Sequence, residues 1–157
     1  MVTTHDVTVA DVVESSTARR IDSGTWVVGL DGSDCATNAL DWAVSNVEGR
    51  ASSIELVTAW QTPVAGAYPM SSPVTVVIDD TEFHDAAAHD VAEVAAGLAP
   101  RLTLPVTAAV GHGGPAQVLL EASESAALLV IGSRGRGGFA RLLLGSTSTQ
   151  CATHRSE

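Results

Sequence analysis

The sequence predicts an α/β fold in which a mostly parallel sheet is covered by helices on both faces. Short apolar segments alternate with segments whose apolar residues recur every three or four positions, in the order β-α-β-α-β-α-β-α. The apolar segments are continuous rather than alternating, which is typical of strands buried on both faces. With 157 residues, 45% of them hydrophobic and only 4% aromatic, the chain fits one domain with helices packed on a buried sheet.

The first half of this domain contains two strands and one helix. Residues 25–30 predict the first strand, and the turn Asp31-Gly32-Ser33 follows it. Ser33 fits the N-cap position of a helix whose apolar residues recur as far as Val47. Gly49 then ends the helix. Residues 53–60 predict the second strand, and the prolines that follow it predict a loop over residues 61–73.

The second half contains three helices and two strands. Residues 74–78 read as an extended approach to an alanine-rich helix over 82–98, with a strand as the alternative. Residues 106–110 predict the third strand, and Gly113-Gly114-Pro115 begins the next helix with proline near its first turn. Residues 126–131 predict the fourth strand. A glycine-rich loop and a short helix led by serine and threonine come after it.

The segment before the domain is polar. Residues 1–24 are interpreted as a flexible leader, and residues 25–157 as the folded domain. Val7-Thr8-Val9 and Val12-Val13 leave a short strand open as the alternative.

Composition excludes several functions. The formal net charge of −10 argues against nucleic acid or an anionic membrane as the main partner. All eight basic residues are arginine, which excludes a Schiff-base lysine and a Walker-type phosphate loop. The N-terminus lacks the pattern of a signal peptide, and Cys35 and Cys151 are isolated, so we expect a cytoplasmic protein. The five histidines form no set with a nucleophile or a metal, and no catalytic or metal-binding residue is assigned.

The loop after the fourth strand is the most informative segment. Five glycines lie between Gly132 and Gly145, together with Arg134, Arg136 and Arg141 and no acidic residue. Glycine lets an anion approach backbone N–H groups, and the helix that follows adds free donors and a positive dipole end. Ligands of parallel sheets bind beyond the carboxyl ends of strands, where the winding reverses. If strands one and four are neighbours, this loop and the Asp31 turn line one crevice that binds phosphate.

The spacing of these glycines distinguishes two nucleotide motifs. Gly135-x-Gly137-x-x-Ala140 loosely matches the dinucleotide fingerprint. We reject that interpretation, because the fingerprint belongs after a first strand and has an acid about twenty residues downstream. Gly132-x2-Gly135-x9-Gly145-Ser146 instead resembles the nucleotide-binding signature of the universal stress protein family. The resemblance extends from Trp26 to His154 and includes residues 27–33, 56–60 and 114–119.

The resemblance implies a Rossmann-like three-layer sandwich that binds ATP, or ADP, AMP or cyclic AMP, with magnesium as a candidate companion ion. Asp31 would contact ribose or adenine, Ala59 the adenine ring, and the loop and the last helix the phosphates. A valine in place of Gly132 or Gly135 should abolish binding and leave the fold largely intact. The expected nucleotide-binding residues are Gly29, Asp31, Ala59, Gly132, Ser133, Arg134, Gly135, Arg136, Gly137, Gly138, Gly145, Ser146 and Thr147.

The resemblance also implies a role as a stress-response sensor or regulator. A slow ATP hydrolase and a nucleotide-free structural domain stay open as alternatives. Members of the family continue with a valine-rich fifth strand, which is missing from this sequence. We therefore expect the fourth strand to be exposed at the sheet edge, and a homodimer to be weakened or altered unless the leader adds to that edge.

Overall fold

The computed structural model describes residues 2–4, 7–11, 24–62, 80–136 and 144–154. They form a six-stranded sheet in the order β1-β2-β5-β4-β3-β6. All neighbouring pairs are parallel except β1 and β2. The predicted α/β fold with a mostly parallel sheet is confirmed. The strands are β1 (Val2–Thr4), β2 (Val7–Asp11), β3 (Thr25–Leu30), β4 (Ser53–Trp60), β5 (Val106–His112) and β6 (Leu128–Val130).

Helices follow the strands as the periodicity predicts. Ser33 caps α1, because its hydroxyl accepts the Ala36 N–H at 3.2 Å. Gly49, just beyond the end of α1, has a φ of +72°, which glycine adopts without strain. Proline begins α3 at its first position. The helices are α1 (Asp34–Val47), α2 (Asp80–Leu98), α3 (Pro115–Ala122) and α4 (Ser146–His154), with a 3-10 turn over Ala99–Arg101.

Two apolar layers hold the helices to the sheet. On one face, α1 and α2 pack against β3, β4 and β5 around Trp26, Leu56 and Val110. On the other face, α3 and Cys151 of α4 pack around Val57. Many of the buried helix residues are alanine, whose small side chains let the helices approach the sheet closely.

The N-terminal residues differ from the interpretation as a flexible leader. β2 lies parallel to β5 with Val9 opposite Ala108, and Val9 is buried in the layer that contains α2. A mobile tail therefore does not describe residues 2–4 and 7–11, and the alternative of a short strand holds for 7–11. Val12-Val13 and the rest of 12–23 lie outside the described residues, as does the predicted extended segment 74–78.

The two edges of the sheet are occupied differently. β6 lies at one edge, as the sequence predicts, and the N-terminal strands lie at the opposite edge beyond β5. The alternative in which the leader of the same chain adds to the fourth strand is therefore not observed for the described strands. β6 is also shorter than predicted, because the Ala126 N–H donates to the Ser123 carbonyl and belongs to the turn after α3.

Candidate functional site

The carboxyl ends of β3 and β6 form the candidate site. These strands are parallel neighbours, with Val28 opposite Val130. The chain continues from β3 into α1 on one face of the sheet, and from β6 towards α4 on the other face. The winding reverses between these two strands, and this is where ligands of open α/β sheets bind.

The turn after β3 is held by its own side chains. Asp31 Oδ1 accepts the Ser33 N–H at 2.9 Å, which closes a tight turn around Gly32. Gly32 has a φ of +74°, a conformation that favours glycine. Ser33 then caps α1, so one short segment positions both the carboxylate of Asp31 and the start of the helix.

The loop after β6 contacts this turn directly. The backbone N–H of Arg136 donates to Asp31 Oδ2 at 3.3 Å, and the Ser33 hydroxyl donates to the Arg134 carbonyl at 3.4 Å. The Arg136 guanidinium lies over the turn, since a Cβ built on Gly32 would be 3.2 Å from its nearest nitrogen. The predicted proximity of the two loops is therefore observed.

The three glycines of the spacing motif, Gly132, Gly135 and Gly145, have three different structural roles. A Cβ at Gly132 would lie 2.7 Å from the carbonyl carbon of Cys35, so Gly132 packs against the first turn of α1. A Cβ at Gly135 would lie 2.7 Å from Asp31 Oδ2, so Gly135 makes room for the carboxylate. The Gly145 N–H donates to the Ser133 carbonyl at 2.8 Å and closes the base of the loop.

Helix α4 is attached to the same loop. The Ser148 hydroxyl donates to the Gly132 carbonyl at 2.8 Å, and Cys151 is buried one turn further along. Burial raises the pKa of the Cys151 thiol, as expected of a structural rather than a reactive cysteine. Ser146 is exposed and Thr147 half-buried at the beginning of the helix, on the side of the loop.

The other expected site residues lie at varying distances from the crevice. Arg134 and Arg136 are exposed. Ala59 lies at the end of β4 and packs with the α3 layer, next to the end of β3. Gly29 lies under α3, because a Cβ there would be 2.8 Å from Leu119, and it does not reach the crevice surface. Gly137, Gly138 and Arg141 lie outside the described residues.

The histidine after β5 is not at the crevice. His112 lies opposite Trp60 of β4, and their rings are 4.6 Å apart. Because β4 separates β5 from β3, this side chain is removed from the Asp31 turn. Within the described ranges, no group of three His, Cys, Asp or Glu side chains could hold a metal ion. Nor does any helix in the described part of the chain have the length and apolar character needed to cross a membrane.

Sequence reasoning missed two residues of this arrangement. The sequence predicts only a capping role for Ser33, yet its hydroxyl also donates to the Arg134 carbonyl. The sequence places Ser148 in a hydroxyl-rich helix start, although it alone is buried there and donates to the Gly132 carbonyl. The signal for Ser148 is its spacing of three residues before Cys151, which places both on the buried face of α4.

Comparison with known proteins identifies relatives of this chain. The sequence model of the Universal stress protein family matches residues 24–156. A universal stress protein of Mycobacterium tuberculosis is 32% identical over 127 residues, which are 80% of this chain and 40% of that protein. A second, of Mycolicibacterium smegmatis, is 31% identical over 132 residues, which are 83% of this chain and 45% of that protein. The chain thus spans less than half the length of these curated relatives.

Solved structures show the same fold. The universal stress protein UspA from Lactobacillus plantarum superposes with a TM-score of 0.64 at 20% identity, covering 85% of this chain and 92% of that one. A universal stress protein family member from Burkholderia pseudomallei gives a TM-score of 0.59 at 18% identity, covering 84% and 89%.

Proposed function

Because the chain belongs to the universal stress protein family, and so to a group of stress-response proteins, we propose that it binds ATP or another adenine nucleotide and acts as a sensor or regulator. The nucleotide occupies the crevice between the turn after β3 and the loop after β6. Its binding state changes how the protein associates with partners.

One observation carries this proposal. Within the loop that has the Gly132-x2-Gly135-x9-Gly145-Ser146 spacing, Arg134 and Arg136 contact the Asp31 turn at the switch point of the sheet. A glycine-rich backbone there can present N–H groups to an anion without steric hindrance from a Cβ. The start of α4, on the same loop, adds the positive end of a helix dipole.

Each group at the crevice has a role in this proposal. Ser146 and Thr147 donate to phosphate oxygens from the first turn of α4. Arg134 and Arg136, which are exposed, neutralise part of the phosphate charge in an otherwise acidic chain. Asp31 accepts from ribose or adenine, and Ala59 leaves space for the adenine ring. Magnesium arrives with the phosphates, because Mg²⁺ is commonly held by substrate oxygens and water rather than by an all-protein cage.

The chemistry of these groups favours binding over hydrolysis. Asp31 uses both carboxylate oxygens on backbone N–H groups, and His112 lies two strands away from β3. The described part of the loop, residues 132–136 and 144–145, contains no acid or imidazole, so we assign no catalytic base.

The test begins with the purified protein. Denaturation followed by mass spectrometry identifies any nucleotide that co-purifies, and calorimetry with ATP, ADP, AMP and cyclic AMP measures binding to the nucleotide-free protein. We expect an adenine nucleotide in the first experiment or a micromolar Kd in the second. Absence of released nucleotide together with no heat from any of the four ligands would exclude the proposal.

A matched pair of variants places the ligand. Gly135→Val adds a branched side chain to the loop proposed to bind the phosphates, with its Cβ 2.7 Å from Asp31 Oδ2, whereas Gly97→Val changes a glycine on α2 that has open space around it. We expect the first variant to lose nucleotide binding and the second to keep it. Equal affinities would locate the phosphates elsewhere.

A further inference from the structure

The carboxylate of Asp31 already occupies one backbone donor of the proposed phosphate loop and a second donor at the start of α1. Oδ1 accepts the Ser33 N–H at 2.9 Å, and Oδ2 accepts the Arg136 N–H at 3.3 Å. Backbone N–H groups in a glycine-rich loop and at a helix start are the donors that bind phosphate in proteins. In this conformation an anionic side chain of the protein therefore takes the position of an anionic ligand.

The loop is shaped around this carboxylate. Gly135 has no side chain, and a Cβ there would lie 2.7 Å from Asp31 Oδ2. Asp31 is half-buried, so its charge is only partly screened by water. A free polyphosphate that approaches the Arg136 N–H meets a fixed negative charge at the same donor, and the two anions repel each other.

A nucleotide differs from a free polyphosphate because it also carries hydroxyl donors. A ribose hydroxyl can donate to Asp31 Oδ2 and replace the Arg136 N–H, which then becomes available to a phosphate oxygen. Ionised triphosphate has acceptors only and cannot make this exchange. We propose that Asp31 is a specificity-determining residue that admits nucleotides and excludes inorganic phosphates; this rests on the proposed function.

Asp31→Asn separates the two roles of the side chain. The asparagine Oδ1 can still accept the Ser33 N–H and keep the turn. Its NH₂ group faces the Arg136 N–H, so the acceptor and the charge at that donor are both lost. Asp34→Asn is the matched control, because Asp34 is exposed in the first turn of α1 and its replacement removes the same charge.

The experiment measures ATP and inorganic triphosphate binding by calorimetry at one salt concentration, with urea unfolding as a check that both variants fold. We expect Asp31→Asn to raise the affinity for triphosphate at least about tenfold more than Asp34→Asn does, the effect of one hydrogen bond to a charged group. ATP affinity stays equal or falls, so the preference for ATP over triphosphate decreases at least about tenfold.

The possible outcomes separate this inference from the proposed function. If wild type binds ATP but the two variants gain equally for triphosphate, the inference fails and the proposed function stands. If wild type binds neither ligand and only Asp31→Asn binds triphosphate, the proposed function fails and the exclusion by Asp31 stands. If no chain binds either ligand, both fail.

Discussion

Replacement of Gly132 by alanine should destabilise the fold rather than only the ligand site. The added Cβ would lie 2.7 Å from the carbonyl carbon of Cys35, 2.8 Å from the Ala36 nitrogen and 2.9 Å from the Cys35 oxygen. Comfortable carbon contacts are about 3.5–4.0 Å, so α1 or the loop must move by roughly 1 Å. Neither moves freely, because Ser33 caps α1 and Ser148 holds the Gly132 carbonyl.

Two opposing effects set the change in the free energy of unfolding. Overpacking against fixed atoms costs about 1–3 kcal/mol, and the contact with backbone places Gly132→Ala towards the upper end. Alanine also lowers the conformational entropy of the unfolded chain, which offsets about 0.4–1 kcal/mol of this cost. We therefore expect a net loss of about 2 kcal/mol, which lowers Tm by about 4–8 °C in a domain of this size.

Urea unfolding with Gly97→Ala as the control provides the assay. Gly97 lies in α2 with nothing within 4 Å of an added Cβ, so alanine there should stabilise the helix by about 0.5–1 kcal/mol. A Gly132→Ala free energy of unfolding within about 0.5 kcal/mol of wild type would refute the steric reasoning. The geometry also contradicts the expectation that a valine at Gly132 leaves the fold intact, and it makes Gly135, which meets only a movable carboxylate, the better site for testing ligand binding.

Three further outcomes are expected. Hydrogen bonds from Thr103 lower the pKa of Glu48 from 4.5, so its carboxylate stabilises the fold above that pH, and this stabilisation is lost as pH falls through the lowered pKa. The Tm difference between wild type and Glu48→Gln should therefore shrink from pH 6 to pH 3. A constant Tm difference would contradict this role of Glu48. Val9→Asp buries a charge in the α2 layer and should cost at least about 2–3 kcal/mol in urea unfolding, whereas a passive leader would tolerate it. Ser148→Ala leaves the Gly132 carbonyl without its donor and should cost about 1 kcal/mol and weaken ATP binding in calorimetry, an effect that Thr153→Ala, on the exposed end of α4, should not share.

Local patterns were sufficient for most of the fold. β3 and β4 have the predicted bounds, because continuous apolar residues end at clear turn signals such as Asp31-Gly32-Ser33. β6 begins two residues late, because apolar Ala126 serves a turn whose hydrogen bond no local pattern reveals. The position of β2 beside β5 depends on a pairing between distant segments, for which the alternating Val7-Thr8-Val9 gives only a strand tendency.

The sequence predicts the location of the candidate site better than it predicts the contacts within the site. The rule for switch points brings the loops after β3 and β6 together, and the structure has them in contact. The spacing alone could not show that Gly132 serves helix packing while Gly135 makes room for Asp31, since both roles select glycine. Ser148 was missed because a serine hydroxyl in a helix gives no signal of its partner until tertiary structure places a carbonyl beside it.

The pairing of β2 with β5 sets an order for folding during synthesis. Val9 leaves the ribosome early, but its partner Ala108 is made about 100 residues later. Until then β2 has only β1 beside it, whereas β3 and β4 can pair first because they are close in sequence. β2 is thus among the last of the described strands to enter the sheet, because its pairing waits for β5.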